Sequence, residues 1–247
     1  MKYLLLMAAF SVAAGLPTSE KKEVHFPSKD GLEITGDLYQ IDPHAPYILL
    51  CHQAGYSRGE YVVTAERLNK LGYNCLAIDL RSGGAVNGVE NETAKKAAAK
   101  NLPTEYLDAE QDMLAGVEYL SHLAGQPVIL FGSSYSASLA LKIASENELV
   151  EAVIAFSPGE YFGDKLNVKQ AISHLDKPVF VASTKGESDH VRNLVSQVPE
   201  SKRTQFTPGR EGMHGSRALW KTCESQQECW MSLIRFLSKL KNKESSF

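Results

Sequence analysis

The chain has 247 residues, 43% of them hydrophobic and 22% charged, with a net charge of −3 at pH 7. That length suits one sizeable globular domain with an adequate core of its own. There is no basic stripe and no long run of like charge, so nothing points to nucleic acid, and a small molecule is the expected partner.

Met1-Lys2 precedes an apolar middle, Tyr3 to Phe10, and small residues follow at Ser11 to Ala14, which is the pattern of a secretory signal peptide. Residues 1–16 therefore read as a leader and residues 17–247 as a single domain, with cleavage expected between Ala13 and Ser19. The segment is too short to span a bilayer comfortably, and no cysteine lies near it to carry a lipid. A secreted or periplasmic protein with no stable membrane anchor is expected; an N-terminal helix retained in the fold is the alternative. The four cysteines fit an exported protein. Cys51 and Cys75 lie in strand-like runs and read as buried thiols, whereas Cys223 and Cys229 are the better candidates for a disulfide. In one unbroken helix six residues would separate that pair by ~9 Å along the axis, so a bridge requires a helix break between them.

In chain order, Val24-His25-Phe26-Pro27 and the alternating Leu32 to Tyr39 flank Asp30-Gly31, a hairpin signal. Tyr47-Ile48-Leu49-Leu50-Cys51 is a continuous apolar run, predicted to be a strand covered on both faces, and a helix is predicted from about Gly59 to Leu71. Asn74 to Arg81 is again strand-like. From there to Pro103 the chain is polar and rich in Gly and Ala, about twenty residues that read as a loop able to form a small flap. It contains the sequon Asn91-Glu92-Thr93, which matters only in a eukaryotic source. Asp108 to Leu123 is predicted to be an amphipathic helix. Pro127 to Phe131 follows as the central strand, with helical spacing resuming at Leu139 and Ile143. Ala152 to Phe156 and Lys177 to Ser183 are two further strands, joined by a short helical connection, and the last helix centres on Trp230 to Leu240. Apolar strands alternating with helices call for a doubly wound, mostly parallel sheet with helices on both faces, opened by the antiparallel hairpin. Such sheets bind ligands at the carboxyl ends of their strands.

The turn Gly132-Ser133-Ser134-Tyr135-Ser136, between the central strand and its helix, resembles the nucleophile elbow Gly-x-Ser-x-Gly of the α/β-hydrolases, with Ser136 in place of the second glycine. His52-Gln53-Ala54-Gly55 is similar to the His-Gly-x-Gly oxyanion loop of that family, with Gln53 for the first glycine. Asp79-Leu80-Arg81-Ser82-Gly83-Gly84 resembles its Asp-x-Arg-Gly turn, and Met213-His214-Gly215 its base-carrying loop. The family resemblance covers nearly the whole mature chain and points to the compact, dienelactone-hydrolase-like type without a large lid domain.

The resemblance implies a triad in the order Ser, acid, His, with Ser134 as nucleophile and His214 as base. For the acid it offers Glu187, counted from the strand start after Pro178, with Asp189 as the alternative and Glu160 as a third candidate. It implies an oxyanion hole from the N–H groups of Ala54 and Tyr135, and a loop-bracing role for His52 and for the Asp79/Arg81 pair. Hydrolysis of a small-molecule carboxylic ester through an acyl-enzyme is the expected function, with no cofactor and no metal. A peptidase, amidase or thioesterase on the same triad, or a non-catalytic binding protein that keeps the elbow as structure, are the alternatives. The remaining histidines, His25, His44, His122, His174 and His190, have no comparable setting. Tyr135, Tyr161 and Phe162 read either as walls of an apolar acyl pocket or as core.

Overall fold

A computed structural model describes residues 20–244; the leader read at residues 1–16 lies outside them. Strands β1 (Glu20–Pro27) and β2 (Glu33–Gln40) form the opening antiparallel ribbon. The alternating units that follow are β3 (Tyr47–Cys51), α1 (Val62–Lys70), β4 (Asn74–Ile78), α2 (Glu92–Ala99), α3 (Glu110–Ala124), β5 (Val128–Ser133), α4 (Tyr135–Glu146) and β6 (Val150–Phe156). The chain then adds α5 (Val168–Ala171), β7 (Val179–Ala182), α6 (Ser188–Leu194), β8 (Arg203–Phe206) and α7 (Gln226–Glu244). All eight strands join one sheet in the order β1-β2-β4-β3-β5-β6-β7-β8, antiparallel at β1/β2 and β2/β4 and parallel from β4 to β8.

Side chains alternate across this sheet and build a core on each face. Leu49, Cys51, Leu76 and Leu130 pack on one side with Met113, Val117 and Leu120 of α3 and Leu139 and Ile143 of α4. Ile48, Leu50, Cys75, Ile129 and Phe131 pack on the other with Ala65 and Leu68 of α1 and Trp230, Leu233 and Phe236 of α7. Cys51 and Cys75 thus fall in different cores, three residues out of register, as two buried thiols. The disulfide expected between Cys223 and Cys229 is not formed. Both are free and buried, Cys223 in the turn before α7 with its sulfur 3.3 Å from the Ser225 hydroxyl, and Cys229 in the first turn of the helix. Among the described residues no helix is long and apolar enough to cross a membrane.

The flap predicted before Pro103 contains α2, because Asn91 caps it by accepting from Ala94 N–H at 2.7 Å and the Ala-rich run that follows is a good helix former. The sequon asparagine is therefore 2% exposed, its amide donating to the carbonyls of Tyr56 and Leu80, and is no glycan acceptor in this fold. After β7 the chain turns into α6 at Ser188, so Glu187 directly precedes a helix and Asp189 lies within it. Edge strand β8 gave no apolar signal, since all four of its residues are only partly buried.

The Asp79/Arg81 turn is braced, but not by its own pair. Arg81 is fully enclosed and reaches Asp112 on α3 at 2.7 Å and Asp30 of the hairpin at 2.8 Å. Asp79 takes Arg58 at 2.6 Å, and Arg58 extends to Asp37 at 3.2 Å and Glu23 at 2.9 Å. These clusters lock the hairpin and the turn after β4 to the carboxyl end of the sheet. Breaking a buried pair on one side strands the other charge, so Asp112→Ala is expected to lower the unfolding free energy by ~3–5 kcal/mol. Urea unfolding would measure this, and a loss below 1 kcal/mol would show that Asp30 alone compensates Arg81.

Candidate active site

Ser134 joins β5 to α4 at φ 60°, ψ −123°, a backbone conformation disfavoured for any side chain but glycine. The surroundings hold it there. Its N–H donates to Phe156 O of the neighbouring strand at 2.8 Å, and its carbonyl accepts from Ala137 N–H at 2.9 Å. Gly132 lets the helix start close over the strand: a Cβ there would lie 2.4 Å from Ser136 O and 2.5 Å from Ala137 Cα. Ser136 makes more of its position than a glycine could. Its hydroxyl contacts Cys51 O at 2.8 Å and Ser133 O at 2.9 Å and accepts from Ser133 N–H at 2.9 Å, tying the end of β3 to the turn.

The Ser134 hydroxyl lies 2.8 Å from His214 Nε2, and His214 Nδ1 lies 2.5 Å from Glu187 Oε1. A carboxylate on Nδ1 keeps the proton there and leaves Nε2 as the acceptor facing Ser134. Burial raises the Glu187 pKa, but the hydrogen bonds from His214, Thr184 N–H and Ser157 outweigh it and hold the carboxyl at about 2. Of the three acid candidates, Glu187 is the one brought to His214. Asp189 points to solvent with Arg192 at 2.7 Å, and Glu160 accepts from Val168 N–H and Lys169 N–H at the start of α5. His25, His44, His122, His174 and His190 are all exposed.

Two residues passed over by sequence reasoning hold this array. Ser157, also at positive φ (53°), donates to Glu187 Oε2 at 2.8 Å and accepts from Gly215 N–H at 3.0 Å. Glu60 is 1% exposed and, among the described residues, forms no salt bridge. It accepts from Gln53 N–H at 2.8 Å, from the Ser133 hydroxyl at 2.8 Å and from the Ser216 hydroxyl at 2.5 Å. The oxyanion loop, the elbow and the His214 loop thus meet on one carboxylate. Burial raises its pKa against those three hydrogen bonds. The seam is tight, since a Cβ on Gly215, which has φ +69°, would lie 2.5 Å from both Gln53 Oε1 and Ser133 Oγ. A serine ending a strand and a glutamate in a helical turn are too common to have been singled out.

Because Gln53 N–H is committed to Glu60, Ala54 carries the next N–H of that loop. Among the described residues neither Ala54 N–H nor Tyr135 N–H, the first of α4, meets a protein acceptor. His52 is enclosed and braces the loops: Nδ1–H donates to Gln53 O at 2.8 Å, and Nε2 accepts from Leu80 N–H at 2.8 Å. Burial outweighs both bonds and lowers its pKa to about 4. Tyr135 and Phe162 are buried, whereas Tyr161 is 36% exposed, its hydroxyl donating to Ser157 O at 2.8 Å. Burial raises the pKa of that phenol.

The profile of the dienelactone hydrolase family matches residues 39–202. Among solved structures, an esterase of Pyrococcus furiosus superposes with a TM-score of 0.68 at 20% identity, covering 90% of this chain and 93% of that one. A dienelactone hydrolase of Anabaena variabilis gives 0.68 at 17% identity, covering 90% and 98%. An acylaminoacyl peptidase of Pyrococcus horikoshii gives 0.66 at 16% identity over 90% of this chain, but only 42% of its own. A comparison with curated proteins finds no match.

Two outcomes follow from this geometry. Ser136→Gly restores the glycine of the elbow pattern yet removes the hydroxyl between Cys51 O and Ser133 N–H. It is expected to destabilise the fold by ~1–3 kcal/mol in urea unfolding, and a neutral or stabilising effect would show that water replaces those bonds. His52 has a folded pKa below its ordinary 6.5. Its stabilising contribution is complete above pH 6.5 and lost as pH falls through about 4, with a slope of at most ~1.4 kcal/mol per pH unit. That part of the acid dependence should be absent in His52→Gln, and identical slopes in the two proteins would refute it.

Proposed function

The chain belongs to the dienelactone hydrolase family, and from that membership we propose that it is a serine hydrolase that cleaves a small-molecule carboxylic ester. The observation that carries the reading is the hydrogen-bonded chain from Glu187 through His214 to a serine held in strained backbone geometry.

In this mechanism His214 Nε2 takes the Ser134 proton as Oγ attacks the ester carbonyl. Glu187 stabilises the imidazolium that forms and is itself in no danger of taking the proton, since its carboxyl is held at about 2. The carbonyl oxygen becomes an oxyanion, stabilised by the N–H of Tyr135 at the start of α4 and the N–H of Ala54. His214 returns the proton to the departing alkoxide, and the acyl group remains on Ser134. Water, deprotonated by His214 in the same way, then releases the carboxylic acid and regenerates the serine. The second hydroxyl of the turn, Ser133, is not a rival nucleophile, because it donates to Glu60 and accepts from Ser216 N–H inside the protein.

The test is labelling with a fluorophosphonate followed by mass mapping, together with turnover of 4-nitrophenyl butyrate. Modification is expected at Ser134 and should vanish in Ser134→Ala and His214→Ala, with ester turnover falling by ~10⁴-fold in either variant. A folded protein that is never labelled and turns over no ester would overturn the proposal in favour of a binding protein that retains the elbow.

A further inference from the structure

A cavity of about 300 Å³ is lined by Glu105, Tyr106, Leu107, Tyr161, Phe162 and Lys165. Two contacts tie it to the triad. Tyr106 stacks on Tyr135, the residue after Ser134, with ring centroids 4.6 Å apart and planes 18° apart. Tyr161 reaches back to donate its hydroxyl to Ser157 O at 2.8 Å, and the Ser157 hydroxyl in turn holds Glu187. The cavity therefore lies next to Tyr135 and Ser157, the immediate neighbours of the serine and of Glu187, between the segment before α3 and the segment after β6.

Its chemistry is one-sided. Five large hydrophobic side chains are conspicuously exposed among the described residues, and two of them, Tyr106 at 42% and Tyr161 at 36%, line this one cavity. Aromatic surface left in water at the mouth of a concave site is surface that a ligand can cover. The only charged side chains in the lining, Glu105 and Lys165, face each other at 2.5 Å and cancel, leaving no unpaired charge to receive a charged ligand. The volume lies at the small end of ligand sites, which run from roughly 300 to 1,000 Å³.

The attacked carbon carries two groups that need room, the acyl chain and the leaving alcohol. The leaving oxygen must sit against His214 Nε2 to be protonated, yet no residue of the His214 loop lines this cavity. We propose that the cavity is the acyl site, and that it selects an uncharged, apolar acyl group of medium length or a single aromatic ring. The inference rests on the serine-hydrolase reading above and specifies its substrate.

Steady-state kinetics on 4-nitrophenyl esters tests it, with the alcohol held constant. Hexanoate and benzoate are expected to exceed acetate in kcat/KM by about tenfold or more, as filling a hydrophobic pocket allows. The hexanoate ester should also exceed the hemi-adipate, whose acyl chain has the same length but ends in a carboxylate. Tyr106→Ala, which opens the wall, and Leu107→Trp, which fills the space, should each lower the hexanoate-to-acetate ratio at least threefold. A circular dichroism spectrum and melting temperature like those of the parent would show that each variant is folded; Tyr106 is at the surface and is the safer of the two. Three results would overturn the acyl site. The acyl profile could be flat, both folded variants could keep the parent ratio, or the variants could alter the preference between ethyl and 4-nitrophenyl butyrate instead of that between acyl groups. In all three the protein still cleaves esters and labels at Ser134, so the hydrolase reading survives. Absence of both labelling and turnover removes the two together.

Discussion

The carboxylate of Glu60 is the constraint on which the site depends. It is buried, forms no salt bridge among the described residues, and is satisfied by donors from three segments distant in sequence: Gln53 after β3, Ser133 at the elbow and Ser216 after the His214 loop. A buried carboxylate without such donors costs several kcal/mol, so the three loops cannot drift apart without exposing that cost. Trp220 adds a fourth tie, its indole N–H donating to Glu60 O at 3.1 Å, and stacks on Tyr56 of the oxyanion loop. Pairing with a cation would have placed a second charge in the centre of the site, whereas hydroxyl and amide donors hold the loops with dipoles alone.

A second layer of restraint acts on the two strained serines. Ser134 and Ser157 both have positive φ at the carboxyl ends of adjacent parallel strands, and each N–H bonds to the next strand along the sheet, Ser134 to Phe156 O and Ser157 to Ala182 O. The sheet thus supplies the energy that holds these two residues in unfavourable dihedral angles. The consequence is positional: one serine faces His214, and the other holds Glu187 and the backbone of Gly215. Glu187 and His214 both lie on loops, so their direct contact is reinforced by the Ser157 hydroxyl rather than by a rigid element.

Departures from the familiar motif have local compensation. Ser136 stands where the elbow pattern has glycine and ties the turn to β3. Gln53 stands where the oxyanion pattern has its first glycine and gives its N–H to Glu60, so the next residue carries the unused donor. His52, neutral at physiological pH because burial lowers its pKa to about 4, fixes the spacing between this loop and the turn after β4.

The order of the elements was legible in the residues because β3 to β7 are covered on both faces and must be apolar throughout, while the helices between them keep a 3.6-residue period. Ser134 and His214 were legible for a similar local reason: a strained turn and a crowded loop need small neighbours, and those leave a pattern of Gly and Ser. The candidate acid was legible only to within Glu187, Asp189 and Glu160; the first two lie in one polar stretch, and α6 decides which of them faces inward. The edge strand β8 and helix α2 escaped notice because one has no buried face and the other depends on an asparagine cap inside a stretch that otherwise reads as loop. Sequence by itself determined the fold class and singled out Ser134 and His214, which rest on short-range patterns of burial and backbone geometry. Only the tertiary structure decided which carboxylate meets His214, the contacts of Glu60 and Ser157, the free state of the four thiols and the cavity between Tyr106 and Tyr161, because each depends on which distant segments the sheet brings within hydrogen-bonding or packing distance.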